Sequence, residues 1–303
     1  MSNLVIDCHA HLDERALSLE DQIQKMDEEG INKTALIARI TETLEPDKSE
    51  FLLGVQRQMM NSNILRKIAS LVSLTFYDSK GVLRPIWSYF TDDKKGYTKT
   101  IIPDNQSVAL ALEKYPERFL GWIFINPKVH STPEDEIEKW RKTKGMIGIK
   151  VHPYWHQFPL RDLESTARRS EELNLPLLIH MGFGDQGDFK WLVETFPRLK
   201  IIFAHAGLPY YKSIWPLIQR HKYAYVDLSS AHLSENFTKK VVSILGAEKC
   251  LFGTDSPYGI TGKDVKYDYG HIKGWVDRLD ISEEDREKIL GKNFLEIIEN
   301  AFL

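Results

Sequence analysis

The chain alternates short apolar runs with stretches in which apolar residues recur at helical spacing. Leu4-Val5-Ile6-Asp7-Cys8-His9-Ala10-His11 has strand character and opens the series. Ser18 with Asp21 three residues later reads as a helix N-cap. Leu19, Ile23 and Met26 then share one helical face, and Gly30 ends the helix. Thr34–Ile40 is a second strand, and β, α, β in about forty residues is a parallel crossover unit. From Phe119 the same rhythm holds to the end. Strands are predicted at Phe119–Ile125, Met146–Val151, Leu175–Ile179, Lys200–Ala204, Tyr223–Leu228 and Cys250–Phe252. Amphipathic segments such as Asp162–Leu173, Phe189–Phe196, Tyr211–Arg220 and Glu235–Leu245 separate them, and a last helix runs from a Ser282 cap through Ile298.

Eight strands, nearly all apolar on both faces, are what buried parallel strands require. The predicted fold is α/β, a (β/α)8 TIM barrel forming one domain over residues 1–303. Residues 41–117 break the rhythm with helix-like segments around 50–72 and 105–115 and no strong strand before Phe119. That stretch is too long for a bare loop. It is expected to be a helical insertion after strand 2, hanging over the site as a lid.

Composition narrows the function classes. The 303 residues carry a net charge of −3 with no block of like charges, which leaves nothing to attract nucleic acid or an anionic membrane surface. No apolar run reaches the ~18 residues a membrane helix needs. The first strand starts too early for a cleavable leader, and two cysteines, Cys8 and Cys250, are too few for a disulfide framework. A cytoplasmic protein with buried thiols is expected. If His9 and Asp255 face the barrel interior, period-2 alternation sends Cys8 and Cys250 to the outer face as packing atoms.

Chemistry is concentrated where the predicted strands end, which is where barrels of this class place their sites. In order these ends carry His9 and His11, then Lys150 and His152, His180, His205, Asp227 and Asp255. Of ten histidines, five stand there. His9 and His11, two apart on a strand, can point to one spot. Several imidazoles and a carboxylate converging from different strands suit a divalent first-row ion. Asp227 is read equally as a structural hydrogen-bonding residue and as a functional one.

The pieces Ile6-Asp7-Cys8-His9-Ala10-His11, Gly148-Ile149-Lys150-Val151-His152-Pro153, Leu178-Ile179-His180-Met181-Gly182, Phe203-Ala204-His205-Ala206-Gly207 and Phe252-Gly253-Thr254-Asp255-Ser256-Pro257 occur in this order along nearly the whole chain. Lys288-Ile289-Leu290-Gly291-Lys292-Asn293-Phe294 follows them. As a set they resemble the amidohydrolase superfamily, in particular the amidohydrolase-2 branch that includes aminocarboxymuconate-semialdehyde decarboxylase. The resemblance implies that His9, His11 and His180 hold a metal, with Asp255 as a further ligand able to take a proton from bound water. Such an ion brings the water's pKa from ~15.7 toward neutrality. His205 would stand beside the water or polarise a substrate carbonyl. One divalent ion is expected, zinc first and manganese second. A second ion bridged by a carboxylated Lys150 ranks behind a free Lys150 that faces substrate.

Two activities use this frame. The leading expectation is a metal-dependent hydrolase of an amide, lactone or ester, with Asp255 and His205 as the catalytic pair. The alternative is a metal-dependent non-oxidative decarboxylase of a small unsaturated or aromatic acid. It needs a cation for the substrate carboxylate, and Arg39, Arg57 and Lys150 are candidates. Aromatic residues of the insertion (Phe76, Tyr77, Trp87, Tyr89, Phe90) suit a planar substrate and equally suit packing of the lid. Lys150, His152, Tyr154 and Arg39 are the expected substrate-binding residues, with Trp155 and His156 shaping the same loop. A barrel that only binds its ligand is a third option, which the complete ligand set disfavours. The expected partners are a small-molecule substrate and, through apolar residues of the insertion, a second copy in a homodimer.

Overall fold

All eight predicted strands form, and they lie side by side in one parallel sheet. The computed structural model describes residues 4–40, 75–77, 83–85, 102–130, 132–258 and 269–299. Strands β1 (Ile6–Leu12) and β2 (Lys33–Ala38) come first, followed by a short antiparallel pair, β3 (Thr75–Tyr77) with β4 (Leu83–Pro85). Then come β5 (Phe119–Ile125), β6 (Met146–Val151), β7 (Leu177–Ile179), β8 (Ile201–Phe203), β9 (Ala224–Asp227) and β10 (Cys250–Leu251). The large sheet has the order β1-β2-β5-β6-β7-β8-β9-β10 with every paired neighbour parallel.

The sheet closes on itself. Cys8 N–H donates to Phe252 O at 3.0 Å, Asp255 N–H donates to His9 O at 2.7 Å, and Ala10 forms a parallel bridge with Ser256. Closure matters chemically, because it brings the two ends of the chain's site, β1 and the turn after β10, into contact. The fold is therefore an α/β TIM barrel with helices between its strands.

Local signals explain most of the helices. Ser18 Oγ accepts Asp21 N–H at 3.1 Å and Ser282 Oγ accepts Asp285 N–H at 3.1 Å, as the caps predict. Gly30 stops its helix in a left-handed conformation, φ +68°. The closing helix is interrupted by a π turn over Lys288–Lys292. There the carbonyl of Ile289 accepts Phe252 N–H at 2.9 Å, just beyond β10. Gly291 passes so close to β1 that a Cβ would lie 2.3 Å from the Leu4 carbonyl oxygen.

The core is continuous through the barrel wall, with Phe119, Trp122, Phe124, Phe203 and Phe252 wholly or almost wholly buried. A helix forms at Asn105–Lys114, within the predicted insertion, and packs on β5. The β3–β4 pair, in a region expected to be helical, was not foreseen. The helix predicted around 50–72, Arg57 and the aromatic residues Trp87, Tyr89 and Phe90 lie outside the described residues. Among the described residues no helix is long and apolar enough to cross a membrane.

Candidate metal centre

At the carboxyl ends of the strands the donors predicted from sequence come together. His9 Nε2 lies 3.5 Å and His11 Nε2 3.6 Å from Asp255 Oδ1. The other oxygen of the same carboxylate, Oδ2, is 4.0 Å from His205 Nε2, and that nitrogen faces His180 Nδ1 at 2.9 Å. Asp255 thus stands between the β1 histidine pair and the His180–His205 pair. It is 15% exposed, while His9 is fully buried.

Hydrogen bonds on the far side of each ring settle which nitrogen is offered to the site. His9 Nδ1 donates to Asp227 Oδ2 at 2.8 Å, and His11 Nδ1 faces the Ala38 carbonyl at 3.4 Å. His205 Nδ1 is 3.2 Å from the Ser229 carbonyl and 2.9 Å from its hydroxyl. A carbonyl or carboxylate accepts only, so the proton sits on Nδ1 and each Nε2 keeps a lone pair. Two donors held by one ion at about 2.1 Å and tetrahedral angles lie about 3.4 Å apart. The spacings of His9, His11 and Asp255 match that, so the residues present fit a divalent cation. Among the described residues two sets of three donors lie within 4.8 Å of one another, His9–His11–Asp255 and His9–His205–Asp227. His180 belongs to neither and joins through His205.

Electrostatics agree with neutral imidazoles and ionised carboxylates. Burial, reinforced by Lys150, pulls the His9 imidazole down to about 3, against Asp227. Burial first, then neighbouring histidines, holds His180 and His152 well below the usual imidazole range. For Asp255 burial works upward, but His205, His11 and His9 outweigh it and keep the carboxyl well below its ordinary value. Lys150, fully buried on β6 with Nζ 3.4 Å from His9 Nε2, is drawn by burial down to about 8, with Asp227 and Asp255 opposing.

Asp227 is the hub behind the donors. Beyond His9, its Oδ1 accepts His205 N–H at 2.8 Å, Ser229 N–H at 3.1 Å and Ser229 Oγ–H at 2.6 Å. Burial pushes this carboxyl up, yet His9, His205 and these bonds win and hold it below its ordinary range. The sequence left Asp227 open, and the geometry makes it the residue that holds the His9 imidazole directly and the His205 backbone, with Ser229 between it and the His205 ring. Ser229, two residues on, was missed. So was Asp7, which accepts Thr254 Oγ–H at 2.5 Å and the backbone N–H groups of Thr254 and His9, both at 3.0 Å. Asp7 therefore clasps β1 to the turn that presents Asp255. Asp13 was also missed: Arg15 grips it with Nε at 2.7 Å and Nη2 at 2.6 Å, and Tyr258 Oη–H donates at 2.9 Å. The Tyr258 ring sits beside His11, centroids 5.2 Å apart.

The backbone is strained here. His205, Ala206, Ser230 and Asp255 have φ of +55°, +57°, +92° and +62°. Left-handed backbone costs an L-residue ~1–2 kcal/mol, and such residues gather at functional sites.

The expected substrate-binding residues surround this centre unevenly. His152 caps the short helix Pro153–His156, its Nδ1 accepting Trp155 N–H at 3.0 Å, and stacks on His180 with centroids 3.9 Å apart. Tyr154 lies nearly parallel to His180 at 6.4 Å and edge-on to Phe183 at 6.0 Å. Arg39 is half-buried and follows Ala38, whose carbonyl faces His11. The β1–β2 register slips between Asp7 and Ala10, and Cys8 lies buried within the hydrophobic core. Both thiols are buried and free, and neither joins a set of converging donors among the described residues.

A sequence model of the amidohydrolase family matches residues 93–295, two thirds of the chain. The chain belongs to the amidohydrolase family. Within it, the gamma-resorcylate decarboxylase of Polaromonas sp. strain JS666 is 24% identical over 250 residues, 61% of this chain and 72% of that protein. Among solved structures, 2,6-dihydroxybenzoate decarboxylase bound to 2,6-dihydroxybenzoate superposes with a TM-score of 0.61 at 14% identity, covering 98% of this chain and 99% of that one. The 5-carboxyvanillate decarboxylase of Sphingomonas paucimobilis gives 0.61 at 13%, with the same coverage. A dihydroxybenzoic acid decarboxylase of Polaromonas sp. JS666, holding manganese and 2-nitroresorcinol, gives 0.59 at 17% over 99% of this chain and 100% of that one. At such identities the superpositions establish the shared barrel. The chain is thus an enzyme of the amidohydrolase superfamily, and a divalent metal is supported. Zinc in particular is not, since the ion in that relative is manganese.

Proposed function

We propose that the protein is a metal-dependent non-oxidative decarboxylase of a small hydroxylated aromatic acid. The observation that carries this is the sequence relative, a decarboxylase of gamma-resorcylate, matched over most of its length. Hydrolysis, the leading expectation from sequence, uses the same donors, but no relative described above supports it, and decarboxylation replaces it as the preferred activity.

His9, His11 and Asp255, with His180 brought in beside His205, would hold the ion. When bound, it supplies a positive charge that orients an oxygen-bearing anionic ring. The chain's own groups handle the proton. Loss of CO2 leaves the electron pair of the broken C–C bond on the ring carbon, which must then be protonated. Asp255 is the partly exposed acid among the converging donors, and Oδ2 faces His205 at 4.0 Å. His180 Nδ1–H donates to His205 Nε2 at 2.9 Å, and a proton taken up from solvent would pass along this pair to Asp255 and on to the carbon, leaving both imidazoles neutral as they began. Tyr154, stacked beyond His180, offers a flat face for the ring. Lys150, 3.4 Å from His9 Nε2, is the cation that would balance the departing carboxylate.

The test is a panel of 2-hydroxy- and 2,6-dihydroxybenzoates, incubated with manganese-loaded protein and followed by CO2 release. Turnover by the wild type, with loss of at least 10³-fold in Asp255→Asn, is expected for a residue that delivers the proton. Hydrolysis of lactones or amides with no CO2 from any benzoate would refute the proposal.

A further inference from the structure

Resting on that reading of the site, we infer that Lys150 acts through charge: it sets the loaded centre to welcome a substrate monoanion and weakens metal binding in doing so. The inference starts from placement. Lys150 is the fifth residue of β6 and wholly buried, and its Nζ reaches 3.4 Å from His9 Nε2, the nitrogen that also faces Asp255. Its ionised neighbours are Asp227 and Asp255. Asp13, the next buried carboxylate of the rim, is already neutralised by the fork of Arg15. Asp7 is turned to Thr254 and to the backbone of His9.

Two carboxylates and one ammonium leave the centre with one negative charge in excess. A divalent cation makes it one positive charge in excess, and a monocarboxylate then brings it to zero. Replace the ammonium by a neutral side chain and the order reverses: the metal alone neutralises the centre, and the substrate would arrive as an uncompensated buried anion. In a water-excluded barrel mouth such imbalances are large. The ammonium and the metal also compete for one lone pair, His9 Nε2. Lys150 therefore trades affinity for the ion against affinity for the anion, and the two must move in opposite directions when it is removed. A residue that merely fills space would lower both.

The experiment uses the full chain, wild type beside Lys150→Met and Lys150→Gln, two neutral replacements of similar length, with circular dichroism confirming the fold. Manganese affinity is read by competition with a chromophoric chelator. On manganese-loaded protein, calorimetry measures 2-hydroxybenzoate and its neutral amide, neither assay needing turnover. Both variants are expected to bind manganese about tenfold tighter or more and 2-hydroxybenzoate about tenfold weaker, with the amide changed less than about twofold. Unchanged or weaker manganese binding, equal losses for anion and amide, or a wild type with no preference for the anion would each overturn the inference. So would two equivalents of manganese in the wild type with one lost in Lys150→Met, the result for a carboxylated, negatively charged lysine. Anion preference without CO2 release would instead count against decarboxylation and leave this inference standing.

Discussion

Replacing Asp227 by asparagine isolates the link between the barrel wall and the metal. Among the described residues Oδ2 of Asp227 receives only His9 Nδ1–H, at 2.8 Å, while Oδ1 receives His205 N–H, Ser229 N–H and Ser229 Oγ–H. An asparagine that keeps its oxygen in the Oδ1 position retains those three bonds and turns an NH2 donor toward the Nδ1–H of His9. Two donors then face each other. The conflict is relieved when His9 moves its proton to Nε2, and that places an N–H where the lone pair faced Asp255. One of the proposed ligands would be lost while every heavy atom stays in place. A hydrogen bond to a charged group is worth ~1.5–3 kcal/mol. Removing the partner that orients a ligating histidine typically weakens metal binding ~10–100-fold. The expected result is manganese affinity reduced by that factor in chelator competition, with the His9 imidazole proton moving from Nδ1 to Nε2 in nitrogen-15 NMR. A folded Asp227→Asn protein with affinity within twofold of wild type would refute the reasoning.

Other consequences are simpler to check. Asp7 is buried, and burial pushes its carboxyl up to about 7 against the hydrogen bonds of Thr254 and His9. The folded state therefore holds this proton more tightly than the unfolded one. The stabilisation is complete below the unfolded value of 3.8 and is lost as pH rises through about 7. Asp7→Asn should remove that slope, on the order of 4 kcal/mol, in denaturant unfolding at pH 4 and pH 8; parallel curves for the two proteins would contradict it. Gly148 on β6 leaves no room for a side chain, since a Cβ would lie 2.6 Å from Trp122 Cζ3 and 2.7 Å from the Pro176 carbonyl oxygen. Gly148→Ala should cost ~1–3 kcal/mol by overpacking, seen as a lower Tm. An unchanged Tm would show that the β6–β7 wall yields.

The barrel was legible because its strands are short, apolar on both faces and separated by capped helices, so that period and punctuation agree. Ser18, Gly30 and Ser282 do what their types suggest. The donors were legible for the same reason: polar residues at the ends of apolar runs stand out. What supports them did not stand out. Ser229 and Thr254 are common residue types, and their value comes from partners distant in sequence, His205 in one case and Asp7 in the other. Strand β1 carries a local irregularity that the sequence does not announce. Period-2 logic holds only while the register does, and β1 slips between Asp7 and Ala10. The β3–β4 strands are only three residues each, too short for a period to show, so the turn-like Asp78-Ser79-Lys80-Gly81 between them read as a break in the insertion.

Carbon-13 NMR of a hydroxylated benzoate labelled at its carboxyl carbon, mixed with manganese-loaded protein, tests the central claim most directly. Conversion of the label to carbon dioxide and bicarbonate is expected, with the matching phenol formed in equal amount, and no conversion after the metal is stripped. Retention of the label across the hydroxybenzoate panel by fully loaded, folded protein would contradict decarboxylation as the activity of this site.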